Sequence, residues 1–172
     1  MKRKVYTFLV VIICFLIQST ILEYVQLGIV KPNLLLILVA SAGFIRGKKA
    51  GMTIGFLCGL LADVFWGGLI GFYILVYVVI GYINGMFRSW FYDEDIKIPL
   101  VLVGISELLY GIIIYVCRFM LKGDFEFMYF LSKIILPELI YTGLVTVVLY
   151  QVILRFNKKL EAEEQRSASR FV

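Results

Sequence analysis

The stretch GMTIGFLCGLLADVFWGG, residues 51–68, sets one carboxylate, Asp63, in an apolar segment studded with glycine. Counted by fours, Gly51, Gly55, Gly59, Asp63 and Gly67 fall on one narrow face of a helix. An acid at the end of a glycine stripe needs a reason, because the residues around it offer little polar company. The chain as a whole is equally apolar. Of its 172 residues 62% are hydrophobic and only 17% charged, and the mean hydropathy is +0.95. Soluble domains run nearer half apolar, so the excess points to lipid as the solvent.

A helix needs about 20 residues to cross a hydrocarbon core about 30 Å thick. The apolar runs and their breaks predict six spans, at 5–22, 33–45, 50–66, 69–87, 98–118 and 127–154. The first follows Lys2, Arg3 and Lys4 as in a signal peptide. It ends QSTILEYVQ without a small-residue cleavage site, so it reads as a retained span. The second is short, and its 13 residues cover roughly 20 Å. It must borrow from residues 28–32, enter only part-way, or lie shielded inside the bundle. Pro32 suits its first helical turn.

With six spans and an inside N-terminus, basic residues sort by side. The inner side holds Lys2, Arg3, Lys4, Arg46, Lys48, Lys49, Arg88, Lys97, Arg155, Lys158, Lys159, Arg166 and Arg170. The outer side keeps Lys31, Arg118, Lys122 and Lys133. That bias is a topology signal, with both termini cytoplasmic, and the net charge of +5 needs no nucleic acid to explain it. The expected organisation is a six-span membrane domain, residues 1–155, and a charged cytoplasmic tail, residues 156–172. The tail reads as a solvated anchor, with partner binding as the other use of it. Trp66, Trp90, Phe91 and Tyr92 lie near the predicted interfaces, where amphipathic rings gather.

Catalytic chemistry finds no foothold. Histidine is absent, and Cys14, Cys58 and Cys117 stand singly in apolar runs, as small hydrophobes do. No HExxH, GxSxG or phosphate-cradling loop occurs, so no enzyme, metal or cofactor is expected.

The polar and small residues inside the spans carry the remaining information. Gly51, Gly55 and Gly59 allow close backbone approach, the main source of helix association in lipid. Tyr77, Gly81 and Gly85 form a second such face, with Tyr73 at its head. The two faces are expected to pack on each other or on the fifth span, a homodimer being the alternative. Gly104, Glu107, Gly111 and Tyr115 share one face of the fifth span. Asp63 is expected to face the bundle and pair there with Arg118. Glu107 and Glu138 complete a set of three intramembrane acids. They read as hydrogen-bonding glue between helices, and a proton or cation path is the other reading. Pro137 should kink the sixth helix.

The segment from Lys31 to Phe87 resembles the rod shape-determining protein MreD family. Carrying that resemblance are Pro32 to Leu36, Gly55 to Asp63, Gly67 to Gly71, and Leu75, Tyr77, Gly81 and Tyr82. Two positions depart from the family's pattern: Asn33 stands where Asp is usual, and Tyr73 where many relatives carry His. The resemblance implies an all-α, non-catalytic component of the bacterial plasma membrane, acting in cell elongation. It implies as partners the single-span MreC, the MreB filament, and a RodA-type glycosyltransferase with its penicillin-binding protein. The family is similar in outline to the six-helix substrate-binding subunits of energy-coupling-factor transporters. The alternative function is therefore vitamin-type uptake, with Asp63, Trp66, Tyr73 and the loop LKGDFEF, residues 121–127, as pocket candidates.

Overall fold

The computed structural model describes residues 2–22, 31–66, 70–90, 97–119 and 127–168, with side chains except at 2–4, 21, 90, 118–119, 127 and 160–168. Every regular element among them is helical. Helix α1 (Lys2–Leu16) runs on through a wide π-type turn, Ile17–Ile21. Then follow α2 (Leu34–Arg46), α3 (Lys48–Phe65), α4 (Phe72–Met86) and α5 (Lys97–Ile114). The last, α6 (Leu136–Ala168), is preceded by a helical turn, Phe127–Phe130, and a second wide turn, Leu131–Ile135. It continues unbroken past residue 155, so the tail as far as Ala168 prolongs the membrane helix.

The pattern of burial is that of a protein dissolved in lipid. Large apolar side chains lie exposed on five of the helices, among them Phe8 and Ile13, Phe56 and Val64, Leu75, Val101 and Ile105, Ile140 and Leu144. Polar side chains sit inside: Gln18, Asn33, Asp63, Asn84, Ser106, Glu107, Thr142 and Thr146 are all buried. Water would favour the reverse arrangement. Three helices among the described residues are long and apolar enough to cross a membrane, at Phe72–Ser89, Lys97–Cys117 and Met128–Lys159. Val5–Thr20 and Leu34–Arg46 are apolar but shorter. Helix α3, expected as a span, carries Lys48, Lys49 and Asp63 within its 18 residues and is not among these long apolar helices.

Helix α2 is the centre of the bundle. All twelve residues from Leu34 to Ile45 are buried, with α1, α3, α4, α5 and α6 around them. A helix so enclosed needs no length to match the bilayer, which accounts for its shortness. Its start differs from expectation. The first helical residue is Leu34 and the N-cap is Asn33, so Pro32 lies just outside the helix. At its other end Gly47, with φ of +89°, turns the chain straight into α3. The Gly47 N–H bonds the Gly43 carbonyl at 2.7 Å, and the Arg88 guanidinium donates to the Arg46 carbonyl at 3.2 Å. A cation there also suits the negative end of the helix dipole.

The glycine faces of α3 and α4 meet backbone to backbone. A Cβ on Gly51 would strike the Gly81 carbonyl, and one on Gly59 would strike the Ile74 backbone. On Gly55 it would lie 2.5 Å from the Tyr77 oxygen, and on Gly85 2.5 Å from the Lys48 nitrogen. The stripe is therefore consumed within the chain, which leaves it no role in a homodimer. A Cβ on Gly111 would lie 2.9 Å from the side chain of Ile135, on the turn before α6. Gly104 departs from the expected packing face: a Cβ there would meet nothing within 4 Å among the described residues.

Pro137 is accommodated without a break. It has no N–H for the carbonyl one turn earlier, and the widened turn Leu131–Ile135 lies just before it, closed by Leu136 N–H donating to the Leu131 carbonyl.

Replacing Gly55 by alanine is expected to destabilise the protein by about 1–3 kcal/mol, because backbone rather than a movable side chain blocks the methyl. The same change at Gly104 should stay within about 0.5 kcal/mol of wild type. Thermal unfolding in detergent, followed by size-exclusion chromatography, distinguishes the two.

Candidate functional site

Helices α3 and α4 form a hairpin, and Asp63 lies one turn before its bend. Gly71, with φ of +104°, is the N-cap of α4 and has no side chain to accept from the first N–H groups. Asp63 supplies the acceptor from the preceding helix. Its Oδ1 takes the Tyr73 N–H at 2.9 Å, and Oδ2 takes Gly71 N–H at 2.9 Å and Ile74 N–H at 3.1 Å. Those are the donors a helix start leaves without partners, and the carboxylate also faces the positive end of the dipole. The acid, only 1% exposed, is thus a cap on the next helix. The Arg118 side chain, the expected partner, lies outside the described residues. Backbone amides at the same depth engage both oxygens.

A matching device closes the start of α2. Asn33 Oδ1 accepts from Leu36 N–H at 3.1 Å and from the Tyr77 hydroxyl of α4 at 3.1 Å. Gln18, in the wide turn after α1, accepts from Leu35 N–H at 2.9 Å. The Asn33 N–H in turn donates to Thr142 of α6 at 3.2 Å. Four elements are tied at one buried point. Asn33 supplies the capping oxygen that the position requires.

The remaining polar residues link the outer helices. Asn84 of α4 donates to Ser106 of α5 at 2.7 Å, and Ser106 to the Leu102 carbonyl at 2.8 Å. Glu107 of α5 lies near Glu138 of α6, close enough for the two carboxyl groups to interact. No hydrogen-bond donor reaches the Glu107 oxygens among the described residues. Asp63 is engaged separately from these two acids.

Two cavities frame this network. One, of about 250 Å³, lies at the end of the bundle where α2 and α4 begin. Gln18, Lys31, Asn33, Trp66, Tyr73, Tyr110 and Glu138 are among the residues that line it. Asp63, expected as a pocket residue, is absent from the lining, and the loop 121–127 lies outside the described residues, as do Phe91, Tyr92 and the Trp90 side chain. The other, also about 250 Å³, is an apolar groove between α1 and α6 with α2 as its floor. No group of three or more metal-ligating side chains occurs among the described residues.

The family model for the rod shape-determining protein MreD matches residues 2–160. The chain belongs to the MreD family. Membership ties this chain to rod-shape determination. Its apolar helices agree with a membrane location. Neither the curated proteins nor the solved structures yield a match.

Sequence reasoning passed over Gln18 and Lys31 as site residues. A glutamine in an apolar run was a legible signal, since a buried carboxamide must find partners. Changing Asp63 to Asn leaves one accepting oxygen where two are used, and removes the charge. The expected loss is about 1–3 kcal/mol of stability, measurable as a lowered midpoint in denaturant or heat. Full wild-type stability would show that the cap is dispensable.

Proposed function

We propose that this MreD protein is a non-catalytic scaffold of the cell-elongation machinery, with all six helices in the bacterial plasma membrane and both termini cytoplasmic. It links a single-span, MreC-like protein and the cytoplasmic MreB filament to peptidoglycan synthesis by a RodA-type glycosyltransferase and its penicillin-binding partner. The basic junction of Arg46, Lys48, Lys49 and Arg88 favours that orientation.

The observation that carries the reading is the apolar groove. Val10, Ile13 and Ile17 stand on one side, Leu149 and Val152 on the other, and Leu38 lies on the floor. From Tyr6 to Ile17 it runs roughly 16 Å along the bundle. A partner's membrane helix laid there would gain the close packing that drives association in lipid. Thr7, Arg46 and Asn157 at its basic end would meet the partner's polar flank.

Filling the groove tests this. With Ile13→Trp, recovery of the single-span partner on a tagged copy, from gently solubilised membranes, should fall about fivefold or more at unchanged folded yield, equivalent to about 1 kcal/mol. Undiminished recovery would place the partner elsewhere. Recovery of paired ATPases with a coupling subunit would favour uptake instead.

A further inference from the structure

We infer that the polar cavity at the start of α2 and α4 is a binding site for a small zwitterion of amino-acid to dipeptide size, carboxylate towards Lys31 and ammonium towards Glu138. This goes beyond the scaffold reading and involves none of the groove residues used there.

The carboxylate end is built from three groups. The Lys31 ammonium sits 5.5 Å from the centre of the Trp66 ring, at the cavity wall. Gln18 and Asn33, 6% and 4% exposed, also line the cavity. Their carboxamide oxygens are committed to the Leu35 and Leu36 N–H groups. Each oxygen is fixed by a backbone donor, so each NH₂ is directed away from the helix start, as a donor for an anionic group. The positive end of the α2 dipole adds to the same preference.

The ammonium end is equally specific. Glu138 is the acidic side chain among the residues that line the cavity. Tyr110 lies beside it, stacked near Tyr73 with ring centroids 6.5 Å apart and near Tyr77 at 5.8 Å. Aromatic rings next to a carboxylate are favourable surroundings for an alkylammonium group. Lys31 and Glu138 line the same cavity, so the site brings groups of opposite sign within reach of one ligand. A ligand bearing both signs satisfies both walls at once. One bearing a single sign leaves the other wall desolvated against it. The volume, about 250 Å³, admits a dipeptide.

The test uses the full-length protein in nanodiscs with alanyl-alanine as probe, followed by isothermal calorimetry and by the shift in unfolding temperature. Saturable binding with a raised midpoint is expected. N-acetyl-alanyl-alanine lacks the ammonium and alanyl-alaninamide lacks the carboxylate, and each should bind about tenfold or more weakly, as expected when one partner of a buried charged contact is removed. Lys31→Gln should weaken the free dipeptide and leave the amide probe as it was, and Glu138→Gln should do the converse for the acetylated probe. If Glu138→Gln fails to fold, the two blocked probes on the wild-type protein still decide the matter. Absence of saturable binding by alanyl-alanine, or equal binding of the free and blocked probes, overturns the assignment. Neither outcome bears on partner capture by the groove.

Discussion

A helix that begins inside a bundle in lipid exposes N–H groups that no water can reach. Those groups must be satisfied from within the protein, and the rest of this fold follows from how that is done. Helix α2 starts at Asn33 and α4 at Gly71, both at the same end of the molecule. Asn33 and Gln18 close the first, and Asp63 closes the second. Because the acceptors come from neighbouring helices, each cap is also a joint. Capping and assembly are one event here, and a single lost oxygen loosens two helices together.

The glycine contacts work with these joints. Backbone approach at Gly51, Gly55 and Gly59 holds α3 against α4 along their length, but sliding by one turn would keep much of that contact. Asp63 removes the ambiguity. Its two oxygens can reach Gly71, Tyr73 and Ile74 in one register only. The acid at the end of the glycine stripe sets the register that the stripe itself leaves open. The apolar groove between α1 and α6 is the surface we propose for a membrane partner.

Much of this was legible in the sequence, and the failures have physical causes. Spacing by fours exposed both glycine faces, because helical periodicity survives in any surroundings. Hydropathy marked α2 as too short to span, and enclosure by five helices explains how it persists. A search for opposite charge offers Arg118 to Asp63 and cannot see the backbone amides that engage it. Those donors appear only when the chain folds back between 66 and 71. Gly104 was misplaced because a shared helical face does not say which neighbour, if any, lies against it. Gln18 was missed because its role depends on a helix start seventeen residues away in sequence.

The central claim is that Asp63 closes the start of α4. Amide hydrogen exchange at Tyr73 and Ile74, compared between wild type and Asp63→Asn in nanodiscs, tests it most directly. The account predicts strong protection in the wild type and a marked, local acceleration at these two amides in the variant, with α5 unaffected. Equal protection in both proteins would contradict it, since the amides would then owe their shielding to something other than the carboxylate.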